Sequence, residues 1–152
     1  MFPLRSTRVL PAAIACLGLA CGSPSFSAPS NATWHADLAG ARAVAASSQR
    51  PVLALCVASW SEESRTIASA IQADAEVAAL VGACFEPVII DVDTDPELTS
   101  HLEIVHVPTA VVLDADGRTK LAAFECPATT PAFIAAAAQA FRDVNARITT
   151  VV

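Results

Sequence analysis

Two serines three residues apart carry the first chemical question in this chain. Ser61 and Ser64 stand in Ala58-Ser59-Trp60-Ser61-Glu62-Glu63-Ser64-Arg65, directly after the apolar run Pro51-Val52-Leu53-Ala54-Leu55-Cys56-Val57. Residues three apart in a first helical turn share a face, beside the positive end of the helix dipole. A thiol held there would be a nucleophile. A hydroxyl ionises far too high to act alone, and it cannot form a disulfide. Glu62 and Glu63 in the same turn disfavour a further anion. A serine hydrolase needs a base oriented by an acid, together with oxyanion donors, and the sequence suggests no such set. The simplest role is structural: Ser61 is an N-cap, and the two acids suit the first turn.

The other reactive residue types are sparse. Asp91, Asp93, Asp95 and Glu97 alternate like the start of a calcium loop. However, Pro96 replaces the required glycine, and Leu102 occupies the twelfth position, where an acid belongs. His35, His101 and His106 lack metal-type spacing, so no metal or other cofactor is expected. Cys126-Pro127 follows the last apolar stretch. Cys126 is either a reactive thiol, an inert one, or a partner of Cys84 or Cys56.

The elements that position these residues can be read in order. Asp37 caps a helix to about Ser48, preceded by Trp34 as an apolar anchor. Pro51–Val57 lacks alternation, as a strand buried on both faces should. Ser61 caps a helix to about Gln72, and Asp74 caps another through Val77, Leu80 and Val81. Phe85–Val92 is a strand, and Asp93-Thr94-Asp95-Pro96 starts a short helix to about Glu103. Ala110–Leu113 and Arg118–Phe124 are strands joined by the Asp114-Ala115-Asp116-Gly117 hairpin. Thr130 and Pro131 open a final helix carrying Phe133, Ala137, Phe141, Val144 and Ile148. Strand–helix–strand units favour parallel pairing, and the hairpin makes the last pair antiparallel. The fold class is therefore α/β: a four-stranded mixed sheet flanked by helices, with a helix ahead of the first strand.

Composition bounds the rest. A chain of 152 residues that is 54% hydrophobic and 16% charged folds as one domain and is not disordered. Its net charge of −6, without a basic run beyond the first eight residues, excludes nucleic acid as a partner. Residues 1–28 read as an export signal, with Arg5 and Arg8 ahead of an apolar core and small residues after it. Cleavage near Ser25-Phe26-Ser27 would release a soluble protein. Alternatively, Leu17-Gly18-Leu19-Ala20-Cys21-Gly22-Ser23 resembles a bacterial lipobox, with Gly18 where leucine is usual, and would anchor the chain through Cys21. Membrane association is expected only through that anchor. Loss of Arg5 and Arg8 takes nine basic residues to seven against fifteen acids, a net of −8. Residues 29–33 form a tether, and 34–148 form the domain. The expected location is the periplasm or cell envelope.

Four stretches, in order, resemble the thioredoxin-like superfamily. They are Trp34–Ala45 with Arg50-Pro51-Val52-Leu53, the Trp60-Ser61-Glu62-Glu63-Ser64 stretch, Asp93-Thr94-Asp95-Pro96, and Val107-Pro108-Thr109. The resemblance implies a thioredoxin fold in which Val107-Pro108-Thr109 is the cis-proline segment. It also implies that Ser61 and Ser64 stand where active members carry Cys-x-x-Cys, and that Leu55 replaces their buried acid. His106 would approach the serines but gains no acid partner. The expected function is binding: Trp60, Val107, Pro108 and Thr109 form a groove for a protein or extended peptide, without catalysis at Ser61 and Ser64. Two alternatives remain. One is a thiol oxidoreductase or mixed-disulfide trap working through Cys126; the other is a structural envelope protein.

Overall fold

Asp37 begins the first helix by local chemistry: its carboxylate accepts the Gly40 N–H at 2.6 Å, satisfying a donor the helix cannot. The computed structural model describes residues 32–150. The leader 1–28, with Cys21, and tether residues 29–31 lie outside the described residues.

The chain then runs α1 (Leu38–Ser48), β1 (Val52–Val57), α2 (Glu62–Ala73), α3 (Ala75–Cys84), β2 (Glu86–Asp91), α4 (Pro96–His101), β3 (Thr109–Leu113), β4 (Lys120–Glu125) and α5 (Thr130–Thr150). Asp74 divides α2 from α3, its side chain accepting from Glu76 and Val77 N–H. Asp95 caps α4 through Leu98 N–H, with Pro96 at the tolerated first position. The final helix extends to Thr150, two residues past the expected domain end.

The sheet order is β2-β1-β3-β4. β1 and β2 are parallel, as strand–helix–strand order predicts. β3 differs: it joins the other side of β1 antiparallel, Cys56 opposite Thr109. A parallel β3 would have to start at the far end of the sheet. The chain after α4 instead returns to the end where β1 finishes, so β3 runs back. β4 is antiparallel to β3, with a register shift at Val112/Leu113. It starts at Lys120 and not at Arg118. The Asp114 carboxylate binds the Arg118 and Thr119 N–H groups, holding both in the turn. Gly117 takes φ +64°, and a Cβ there would lie 2.3 Å from Arg42 Cγ.

Both faces of the sheet are covered. Leu53 and Leu55 of β1 pack with Ile67, Ile71, Val77 and Phe133 of α2, α3 and α5. Val52, Ala54 and Cys56 turn to the other face, against Ala41 and Ala45 of α1 and Leu102. This is why the strand reads as continuously apolar. Each buried Leu or Val contributes roughly 1.5–3 kcal/mol of burial free energy, and the alanines let α1 approach the sheet closely. Phe85 and Phe141 meet edge-on with centroids 5.4 Å apart, tying α5 to the end of α3.

One polar cluster fastens the end of the sheet where β1 and β2 begin. The buried Glu86 carboxylate accepts from Arg50, from Ser48 Oγ at 3.2 Å and pairs with His35 Nε2 at 3.4 Å. Arg50 also donates to the Gly82 carbonyl. His35 is bridged beside Val88, with its backbone N–H on the Pro87 carbonyl at 2.9 Å.

Candidate functional site

The expected site residues converge on the end of the sheet where β1 finishes and β3 starts. Val57 leads through Ala58 into a turn closed by the Ser61 N–H on the Ala58 carbonyl, 3.1 Å. That turn leaves Trp60 72% exposed, the first sign of an open surface. Ser61 Oγ then accepts the Ser64 N–H at 3.2 Å, so Ser61 is an N-cap, with Glu62 and Glu63 in the first turn behind it.

Ser64 has a different environment. It is 0% exposed, and its hydroxyl has no hydrogen-bond partner among the described residues. A buried hydroxyl without a partner forfeits its hydration and gains nothing in return. This position suits an apolar or weakly bonding group better than a hydroxyl.

On the neighbouring strand, the Val107–Pro108 peptide bond is cis. Thr109 Oγ1 donates to the His106 carbonyl at 2.6 Å, closing the turn on which Val107 and Pro108 sit. Val105 precedes them at 81% exposure, the most exposed of the large apolar side chains described. A valine outside any strand or helix pattern carries no signal in the sequence. Trp60 and Val105 are thus exposed and Val107 half-buried on the loops at this end of the sheet, with Pro108 buried in the turn between them and β3; these loops are the ledge. His106 is exposed and has no hydrogen bond to Ser61.

Cys126 follows β4, and its N–H donates to the Pro108 carbonyl at 3.1 Å, so the structure does bring it to the proline turn. It does not present the thiol to solvent. Cys126 is 9% exposed, and burial, with a smaller push from Cys56, raises its pKa to about 12. Burial raises Cys56 to about 12 also, against a weak pull from Lys120. Cys84 is raised by burial too, with Arg50 opposing. All three are free thiols, which removes the pairings with Cys126 from the described structure. Raised pKa values keep thiols protonated, the opposite of an activated nucleophile.

Among the described residues, no three His, Cys, Asp or Glu side chains gather as metal ligands. The acids after β2 have local work: Asp91 Oδ1 accepts the Asp93 N–H, and Asp95 caps α4. A concavity of about 500 Å³ runs along the β2 edge, lined by Trp34, Gln72, Asp91 and Leu98. It contains none of the expected site residues. Trp34 lines it while also packing on the core.

A family profile described as Thioredoxin-like matches residues 33–115, more than half of the chain. This chain belongs to the thioredoxin-like family. The matched region contains α1, the serine turn and the Pro108 turn. Solved structures agree on the fold. The protein described as DsbH Oxidoreductase superposes with a TM-score of 0.64 at 18% identity, over 76% of this chain and 88% of that one. A thioredoxin from Thermus thermophilus gives 0.61 at 19% identity, over 71% and 86%. The disulphide isomerase from Xylella fastidiosa Temecula1 gives 0.50 at 26% identity, over 76% and 93%. No curated protein matches the sequence. The thioredoxin-like assignment gives the ledge a context: it occupies the end of the fold where the helix after β1 meets the proline turn.

Proposed function

We propose that this thioredoxin-like domain is an exported binding module that has lost its redox dithiol. Its ledge of Trp60, Val107, Pro108 and Thr109, extended by Val105, holds an extended protein segment without covalent chemistry. The observation that carries this reading is the pair at the start of α2. Ser61 is a helix cap and Ser64 a buried, unpartnered hydroxyl, while the described thiols are all free, Cys56 and Cys126 buried and Cys84 half-buried. We read Ser61 and Ser64 as the positions of the lost sulfurs. The buried setting of Ser64, better suited to sulfur than to oxygen, supports that reading. Export rests on the leader pattern of residues 1–28. Whether that leader ends in a soluble protein or in a lipid anchor at Cys21 follows from mass spectrometry of the mature N-terminus.

An open strand-like turn beside exposed apolar side chains is the arrangement that receives extended segments by backbone pairing and side-chain anchoring. The Cys126 trap has proximity to Pro108 in its favour and loses on burial and thiol pKa. The test is insulin disulfide reduction. The wild type should show none. Ser61→Cys with Ser64→Cys should gain it at a reduced rate, because the sulfurs return while Leu55 still stands in place of the buried acid. Reduction by the wild type that disappears in Cys126→Ala would overturn the binding reading in favour of the thiol enzyme.

A further inference from the structure

The end of the sheet that carries the ledge is also the acidic end of the molecule. β1, β2 and β4 all finish there and β3 starts there, with Val57 opposite Asp91 and Thr109 opposite Glu125. Glu62 and Glu63 stand exposed in the first turn of α2, Asp93 in the turn after β2, and Glu125 at the end of β4. The ion pairs among the described residues are His35–Glu86, Arg50–Glu86 and Lys120–Glu103, so these carboxylates and Asp91 have no cationic partner.

Of the seven described lysines and arginines, only Arg65 shares this end. The others are held elsewhere by the fold. Arg42 donates to the Asp116 carbonyl and Arg50 to Gly82. Lys120 donates to Leu102, Arg147 to Leu121 and Arg142 to Gln139, and Arg118 lies in the hairpin. These six described cations are fixed at the hairpin end or along α5, and the ledge end is left with Arg65 alone against five carboxylates around exposed tryptophan and valine.

Resting on the binding reading above, we propose that the ledge selects cationic segments: extended stretches of another protein with lysine or arginine on both sides of an apolar residue. The apolar side chain would cover Trp60 and Val105. One cation would face Glu62 and Glu63, and the other Glu125. The open Trp60 face also attracts a cation through its ring quadrupole. Exposed ion pairs change affinity by roughly 1.4- to 5-fold each, so two or three give about tenfold. Salt of about 0.3 M screens such pairs.

The test uses capped nonapeptides with a central Val-Phe-Val and Lys, Gln or Glu on both flanks, titrated into the full chain. Backbone and indole NMR shifts of Trp60 and Val105 report occupancy. The Lys peptide should bind about tenfold tighter than the Gln peptide, and that advantage should shrink severalfold in about 0.3 M salt. Combined Glu62→Gln, Glu63→Gln and Glu125→Gln should abolish the advantage of the Lys peptide over the Gln peptide, and Trp60→Ala should weaken both. Equal binding of all three peptides overturns the cationic selection and leaves the binding reading standing. No shift with any peptide overturns both. A Lys advantage that survives Trp60→Ala undiminished means diffuse attraction and no site. Shifts at the ledge on concentrating the protein alone, lost in the triple Gln variant, give the surface to a second copy's basic end and overturn the proposal.

Discussion

Replacing Ser64 by alanine should make this protein more stable, although most core substitutions do the reverse. Ser64 is fully buried in the first turn of α2 and its hydroxyl has no partner. An unsatisfied buried hydroxyl costs roughly 1–3 kcal/mol, and removing one oxygen leaves only a small void. Alanine also gains about 0.5 kcal/mol of helix propensity over serine. Ser69→Ala, on the exposed side of the same helix, measures that propensity term alone. Ser64→Ala should therefore exceed Ser69→Ala by about 1–2 kcal/mol, or roughly 3–10 °C in Tm for a domain of this size. Ser61→Ala should show the opposite sign, losing about 1 kcal/mol with the cap. Urea unfolding followed by circular dichroism reads all three variants, provided the m-value is unchanged. If Ser64→Ala is destabilising, or no better than Ser69→Ala, the hydroxyl is satisfied and the claim that this position suits sulfur fails.

Other outcomes follow from the same structure. Glu86→Gln leaves Arg50 with a weaker partner at a buried position and should cost about 2–4 kcal/mol in urea unfolding; a cost under half a kcal/mol would make the cluster incidental. Gly117→Ala meets positive φ and displaces Arg42 from the Asp116 carbonyl. It should cost about 1–2 kcal/mol, and no change in Tm would count against that turn geometry. With Cys126 raised from 9.0 to about 12, its thiolate at neutral pH should be about a thousandfold scarcer. Native alkylation at that residue, mapped by mass spectrometry, should lag denatured alkylation by at least that factor. The unfolded chain releases these thiol protons first, so stability should fall as pH rises from about 9 towards 12. A flat profile there, or prompt native labelling of Cys126, would contradict its burial.

The fold was largely legible because its signals are local. The unbroken apolar run of β1, the caps at Asp37, Ser61, Asp74 and Asp95, and the Asp-x-Asp-Gly turn each act within a few residues. The site was legible only in outline. Ser61 announces itself as a cap, and Ser64 shares the helix face of Ile67, Ala68 and Ile71 while Ser69 does not, but whether the Ser64 hydroxyl finds a partner on that face is decided only by tertiary packing. The direction of β3 depends on which end of the sheet the chain reaches after α4, which composition does not encode. Glu86 meets Ser48, Arg50 and His35 across 38, 36 and 51 residues, so the cluster exists only after folding. The acidic end is hidden for the same reason: Glu62, Asp91 and Glu125 are far apart in the chain and only the fold brings them to the same end of the sheet.

The central claim is reversible, thiol-independent binding at the Trp60–Val105–Pro108 ledge. It is tested most directly by photocrosslinking in cells, with a diazirine amino acid replacing Val105 and total protein resolved with and without reductant. Discrete protein adducts should form only on irradiation, withstand reductant, and disappear when Trp60→Ala is added. Adducts that form in the dark, release with reductant and require Cys126 would contradict it.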